Sequence, residues 1–515
     1  MKQFTRKLFA IALLFSVIRI HATDSVGKSF YLGHSAVVVG NGIVEGFNHC
    51  DNKQSDEFAA HFNVQINGGM NFKAQDMTKY LFFNSGTSMR FGQKASVTAA
   101  TDVYNEYFLL PQSAAGAEDW AATLSANPRI SNVTTDVRFV ADLNNITEGL
   151  YLEANLPIVY TNWNLRLTET NISRTATQLA IGAINAAAAV TAPYTSVIAA
   201  FKGDLTGGDV QRRLYGNVNG PQDKVALGDA RVALGYNLVR NEDGHFGVAV
   251  LGIFNSDNNS SSDASYLGAP VIGTAGRQCI GGRVEGAYLL YENGDNNLRF
   301  AGRADVAHAF NATITRSYDF IAKHGVGSRY MLAKQFTAAF AYNTVIAPLI
   351  NISTISAKID IGVLYDVSLA LRYTHVNWFF DGGYQLSGHS KENHNGWVGS
   401  FTTSLYGAMV PNGVTDVNTL GTSLATNATI SGATAADAIP TAAVAAATNV
   451  LVLTDLDINS GLAAAGMSHH IHGDVGYNFE NDWNPYVLVG GGAEFSSDNN
   501  APYQWEAHII GGLTF

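Results

Sequence analysis

Charge is scarce in this chain. Asp, Glu, Lys and Arg make up 14% of its 515 residues, against about 25% in an ordinary soluble domain. Cysteine is nearly missing: Cys50 and Cys279 are the only two, which excludes a disulfide framework and leaves either one pair or two separate thiols. Basic residues are outnumbered, with 31 Lys and Arg against 42 Asp and Glu and a net charge of -11. That balance argues against nucleic acid as a partner. Past the amino terminus, no stretch supplies the roughly 18 uninterrupted apolar residues that a membrane-spanning helix needs. If the chain sits in a membrane, strands must carry it, because only helices and closed barrels satisfy their own backbone in lipid.

What is present is glycine (51), phenylalanine (27) and tyrosine (22), with a mean hydropathy close to zero. Low charge without long apolar runs is expected when apolar and polar positions alternate. The first 22 residues have the build of a signal peptide: Lys2, Arg6 and Lys7, then the apolar core Leu8 to Ile18, then Ile20-His21-Ala22 as a cleavage site. The expected mature chain is 23–515.

Alternation is clear from His61 to Phe72, where Phe62, Val64, Ile66, Met70 and Phe72 oppose His61, Asn63, Gln65, Asn67 and Asn71. It recurs as hairpins. Val137, Phe139 and Ala141 run toward an Asn-Asn turn and return as Leu150, Leu152 and Ala154. Val232 to Leu238 turns at Asn241-Glu242-Asp243-Gly244, and Val284 to Leu290 turns at Glu292-Asn293-Gly294-Asp295. Ile352 to Tyr373 and Val376 to Leu386 form another pair. Three closing strands follow: His469 to Phe479, Pro485 to Phe495 and Trp505 to Phe515. These segments have the roughly ten residues that a tilted strand needs to cross a bilayer. The expected fold is all-β, an antiparallel transmembrane β-barrel of about 12–16 strands. Phe30 to Val39 and Tyr330 to Asn343 are the weaker strand candidates. Long, partly helical loop inserts are expected at about 73–130, 171–223, 255–277 and 406–466, with helices at Thr101 to Leu110 and within the Ala-rich run Ile181 to Ala200.

A last strand ending on Phe515 resembles the closing strand of Gram-negative outer-membrane barrels. Gly149-Leu150-Tyr151 to Trp163-Asn164-Leu165, Asp229-Ala230-Arg231 to Asn237, Ser328-Arg329-Tyr330-Met331-Leu332, Asn377-Trp378 to Tyr384, and Trp483-Asn484-Pro485-Tyr486 to the end carry a further likeness. They resemble an uncharacterised, porin-like family of large barrel proteins of Dependentiae-type intracellular bacteria. The resemblance implies an outer-membrane location, partners in the membrane lipid and the barrel-insertion machinery through Phe515, and, by analogy with porins, a homotrimer. It transfers no catalytic, cofactor or metal residue.

With the apolar face toward lipid, the polar face sends Asp136, Arg138, Asp142, Glu153, Asp229, Arg231, Arg283, Glu285, Arg299, Arg303, Asp305, Lys358, Asp360 and Asp381 into the lumen as selectivity candidates. Such a lumen is either watered or crossed by filling ion pairs, and strand number decides between them. The expected function is passive diffusion of small hydrophilic solutes with a weak cation preference; the alternative is a non-conducting surface-structural or adhesion barrel whose loops bind a partner. Trp163, Trp378, Tyr384, Trp483, Tyr486 and Trp505 are expected in interfacial girdles. His470 and His472 share a face, yet without a carboxylate partner they read as solvated, so no metal or cofactor is expected. Gly27-Lys28-Ser29 lacks the glycine-rich lead of a phosphate loop. No nucleophile elbow appears, and Ser, His and Asp are too scattered to nominate a triad; Gly33-His34-Ser35 and Gly388-His389-Ser390 read as loops, and the chain is not expected to be an enzyme.

Overall fold

The computed structural model describes residues 59–514 apart from 83, 85, 93–101, 112–119, 180–189, 204–209, 219, 258–265, 321–326, 339–341, 409–449 and 499–502. The expected signal peptide, Phe30 to Val39, Gly33-His34-Ser35, Cys50 and Phe515 lie outside the described residues.

The alternating segments pair in chain order as twelve barrel strands: β1 (Ala59–Asn71), β2 (Arg129–Asp142), β3 (Leu150–Asn164), β4 (Ala230–Asn241), β5 (Gly244–Phe254), β6 (Cys279–Asn293), β7 (Asn296–Ser317), β8 (Thr354–His375), β9 (Trp378–His389), β10 (Gly466–Asn478), β11 (Tyr486–Asp498) and β12 (Gln504–Thr514). Each is antiparallel to its sequence neighbours, and β12 pairs with β1 from His61 opposite Thr514 to Asn71 opposite Gln504. The sheet therefore closes on itself. Closure leaves no unpaired wall edge, which is what a strand wall in hydrocarbon requires.

Connections differ sharply between the two ends. Tight turns at 242–243, 294–295 and 376–377, with slightly longer ones at 143–149 and 479–485, close one end. Gly294, at φ 58, supplies the left-handed residue that a tight hairpin needs. At the other end run the long segments 72–128, 165–229, 255–278, 318–353 and 390–465. Two short strands, Gln222–Leu227 on β3 and Glu392–Trp397 on β8, continue the wall upward on this side.

The inserts differ from expectation in three places. Of the expected helix Thr101 to Leu110, the described residues 102–110 form none of α type: Val103–Tyr104 is strand and Asn105–Phe108 a single 3-10 turn. Within the Ala-rich run, 181–189 lies outside the described residues, and helix appears only at Val197–Lys202, capped by the Ser196 hydroxyl, which accepts from the Ala199 N–H. Tyr330 to Asn343 does not cross the wall. Leu332–Phe336 instead joins Tyr342–Pro348 and Leu405–Ala408 in a three-stranded sheet above the barrel.

The inserts share one apolar core. Phe91, Tyr107 and Phe108 from the first, Phe201 from the second, Phe320, Met331 and Leu349 from the fourth, and Leu451 from the fifth pack together with the upper strand residues Ile130 and Trp163. They form a cap at one end of the barrel. Trp163 is therefore not a girdle residue: at 4% exposure it belongs to this core.

Candidate functional site

The barrel wall sorts its side chains by parity. On β4 and β5, Val232, Leu234, Tyr236, Phe246, Val248 and Val250 are exposed on the outside, while Ala233, His245 and Leu251 between them are buried within. The same alternation holds on β12, where Trp505 and Ile509 point out and His508 and Ile510 point in. Trp378 and Trp483 are exposed at the short-turn end, placed as an aromatic girdle would be. Tyr486 is not part of it: the ring turns inward, stacks on His61 and packs with Phe379, Leu488 and Ile510. A closed wall, apolar outside and polar inside, has one natural solvent. This is a transmembrane β-barrel.

No protein-family model and no curated protein matches the sequence. Among solved structures, the chain is similar to an outer membrane channel from Pseudomonas putida F1, at 9% identity and TM-score 0.36 over 90% of this chain and 98% of that one. It is also similar to a Pseudomonas aeruginosa FadL homologue, at 8% identity and TM-score 0.26 over 96% and 98%. A third is the translocator domain of autotransporter NalP from Neisseria meningitidis, at 7% identity and TM-score 0.28 over 92% and 93%.

Most of the selectivity candidates converge in the lumen. Arg283 on β6 donates from Nε to Asp305 Oδ1 of β7 at 2.7 Å and from Nη1 to Glu153 of β3, reaching past two intervening strands. Arg303 on β7 donates to the other Glu153 oxygen at 2.6 Å. Arg231 on β4 adds a bond to Asp305 Oδ2 at 3.2 Å and lies 3.7 Å from Asp366 of β8. Glu285 is buried 3.9 Å from Arg283. The bonds to Glu153 and from Arg231 to Asp305 cross the barrel and tie together strands that are not neighbours, while Arg283–Asp305 joins the paired β6 and β7. Beside them Arg138 pairs with Asp136 at 2.7 Å within β2, Arg372 of β8 bonds both oxygens of Asp381 on the adjacent β9, and Arg240 of β4 reaches past β3 to Asp142 of β2 at 3.0 Å. Arg299 is buried on the same inner face.

Asp229 stands at the top of β4, where its carboxylate accepts from Asn255 Nδ2 at 2.7 Å and from the Thr274 N–H at 2.9 Å. With Arg231, Asp305, Asp366 and His389 it lines a cavity of about 70 Å³ above the crossing ion pairs. That is room for several waters. Gly388 and His389 of the second Gly-His-Ser tripeptide line this chamber, so they belong to the inner wall and are not an external loop.

Lys358 and Asp360 are corrections, because neither points into the lumen. Lys358 is exposed, and Asp360 accepts from Asn393 and Asn395 on the outside surface. The cause is a pair of register shifts between β7 and β8, from Ala307 to Ala312 opposite Leu364 to Ile359. A bulge inserts one residue and exchanges the faces beyond it. Above the shift Ile355, Ala357, Ile359 and Ile361 turn inward, and below it Asp366, Ser368 and Arg372 do.

The histidines also depart from expectation. His470 and His472 are not solvated but 3% and 7% exposed on the inner wall, with stacked rings 5.9 Å apart. Carboxylates are near them: His470 Nε2 lies 3.3 Å from Glu506 Oε1, and His472 Nε2 lies 4.0 Å from Asp474 Oδ2. His508 Nε2 bonds Asp474 Oδ1 at 2.8 Å. Gly492 makes space for the His470 ring, which a Cβ there would strike. Among the described residues, no group of three or more His, Cys, Asp or Glu side chains is arranged to hold a metal ion. Cys279 is buried at the top of β6 beside Ala309 and Ile361.

Over the mouth, Glu392 joins three parts of the chain. It accepts from Arg277 Nη2 at 2.6 Å, from Arg316 Nη1 at 2.8 Å and from the Ala463 N–H at 2.7 Å. Burial alone would raise this carboxyl's pKa, but the two guanidinium groups and the amide outweigh it and hold it below the usual carboxylate range. Arg329 and Asp319 form a second buried pair at 2.8 Å within the cap.

Proposed function

We propose that the protein is an outer-membrane channel for passive diffusion of small hydrophilic solutes, with a weak preference for cations. One observation carries this reading: the lumen is charged along its length. A barrel serving only as a mount gains little by burying Glu153, Arg283, Arg303 and Asp305, since replacing buried ion pairs by apolar side chains is often neutral or stabilising. Retained charge is explained by a path that must accept water and ions. Carboxylates outnumber guanidinium groups on the inner wall by a small margin, with Asp474, Glu494 and Glu506 adding to the pairs above, which favours cations. Arg283, Glu153, Arg303 and Asp305, bonded to one another across the lumen, are the charges such a path must pass.

The test is single-channel recording of the refolded mature chain in a planar bilayer at two salt concentrations. Steps that scale with bulk conductivity are expected, and Asp305→Asn or Arg299→Gln should change the ratio of cation to anion permeability. An inserted, heat-modifiable protein that gives no steps overturns the channel.

A second reading is a non-conducting barrel that presents its cap to a partner. The ordered apolar core shared by four inserts favours it. The homotrimer, insertion through Phe515 and the Dependentiae-type resemblance remain parts of the proposal, and light scattering of the detergent-solubilised protein tests the trimer. No catalytic role is proposed.

A further inference from the structure

The chamber of about 70 Å³ above the crossing ion pairs is lined by opposite charges that are not paired with each other, Asp229 and Arg231. Asp229 is held by one oxygen only. Its Oδ1 accepts from Asn255 Nδ2, from the Thr274 N–H and from the Thr274 hydroxyl, whereas Oδ2 accepts no hydrogen bond among the described residues. Gly273, at φ 57, lets its loop come so close that a Cβ there would strike this carboxylate. On Arg231, Nη1 donates to Asp305, while neither Nε nor Nη2 makes a hydrogen bond among the described residues, and Nη2 stands 3.7 Å from Asp366. The side chains of Arg231 and Asp366 are 30% and 20% exposed, so water reaches the chamber. Leu251, Ile253, Ala307 and Leu364 give it an apolar side.

We propose that this chamber binds a small zwitterion, an α-amino acid of the size of glycine or alanine, and that solutes of this class are what the channel passes. The inference rests on the channel reading above for the solute's passage, but not for its binding. The ligand's carboxylate takes the Nε and Nη2 edge of Arg231, which presents two parallel N–H groups at the spacing of a carboxylate. Its ammonium donates to Asp229 Oδ2, and its small substituent rests on Leu251 and Ile253. A pocket with a few placed polar groups and an apolar side is the usual build of a small-molecule site.

The other charged groups of the chamber are already engaged. Asp305 is shared among Arg283, Arg303 and Arg231. Both oxygens of Asp366 accept from the Gln385 amide at 2.6 Å. His389 Nδ1 lies 2.9 Å from the Ser390 carbonyl. What remains free is one donor edge and one acceptor oxygen, of opposite charge. A simple cation leaves the edge of Arg231 open, and a simple anion leaves Asp229 Oδ2 open; a zwitterion fills both. The volume admits only a few heavy atoms, which excludes amino acids with large side chains. Binding at two points also stays weak enough for release, as conduction requires.

The experiment is saturation-transfer NMR of the refolded mature chain in deuterated detergent, with glycine, methylammonium and acetate as probes. Glycine should bind saturably, at least about tenfold more tightly than either of the others, since each of those lacks one charge-assisted bond. Phenylalanine should not compete. Methylammonium or acetate bound as tightly as glycine makes the chamber a plain cation or anion site and overturns the proposal, as does the lack of saturable glycine binding. These comparisons use the unsubstituted protein, so they decide whatever the variants do. Asp229→Asn keeps an oxygen for Asn255 and Thr274 and, once heat modifiability shows it folded, should weaken glycine at least about tenfold while leaving acetate unchanged; unaltered glycine binding overturns the proposal. If that variant does not refold, Ala307→Leu, which fills the chamber without changing its charge, should abolish binding, and retained binding overturns it. Conductance steps without glycine binding sink this inference and leave the channel standing. Glycine binding without steps sinks the channel, and passage with it, and leaves the site.

Discussion

Asp305 is the residue on which most of the lumen's order depends, since Arg283, Arg303 and Arg231 all approach its carboxylate. Its replacement by Asn removes one charge and leaves three cations in a space where few others can be neutralised. Breaking a buried ion pair from one side costs about 3–5 kcal/mol. Asp305→Asn is therefore expected to lower the denaturant midpoint of the detergent-refolded barrel, and Arg303→Met, which removes a partner that Glu153 can replace with Arg283, should lower it less. At this scale the sequence was largely legible. Strict alternation places Asp136, Glu153, Arg283 and Asp305 inside without any knowledge of the fold. It could not reveal Tyr486, whose ring reads as a girdle aromatic but fills the lumen over Gly512, where a Cβ would collide with it. Small-for-large exchange between adjacent strands has no local signature.

Among the elements, β7 and β8 are the tallest, each running from the short-turn end to well above the others, at Asn296–Ser317 and Thr354–His375. Their shared register shift exchanges the inward parity of both, and on β8 it separates a lower part with Asp366 and Arg372 inside from an upper part with Lys358 and Asp360 outside. Lys358→Cys should accordingly react with a membrane-impermeant maleimide on intact cells, whereas Asp366→Cys should be protected; equal labelling of the two would contradict the exchange of faces. A pattern reading continues one parity through the strand and so assigns Lys358 and Asp360 wrongly, because a bulge costs one residue and leaves no composition mark. Turns were legible where their chemistry is conventional, as at Asn293-Gly294. The β8–β9 turn hides its nature, since Val376 takes φ 53, a conformation that β-branched residues rarely adopt.

For the molecule as a whole, the main discovery beyond pattern is the cap. Segments that read as polar interruptions contribute Phe91, Phe108, Phe201 and Met331 to one core, but each contributes so few apolar residues that the core exists only after all have been brought together. Glu392 fastens it to the barrel through Arg277 and Arg316. Because its folded pKa is depressed, its stabilisation is complete above the unfolded carboxylate range and fades as pH falls through the lowered folded value. Limited proteolysis of the cap should therefore accelerate below about pH 4, and Glu392→Gln should be cleaved quickly already at neutral pH. Equal cleavage of both proteins at pH 7 would show that the cap holds without this carboxylate.

The seam between β1 and β12 joins Ala59–Asn71 to Gln504–Thr514, the first and last of the twelve wall strands in chain order. No intermediate length of chain can close the wall, so every nascent form carries two open edges. Long-range pairing of this kind is slow and exposed to aggregation. The protein is therefore one whose assembly is a single late event, dependent on whatever keeps eleven finished strands apart until the twelfth arrives.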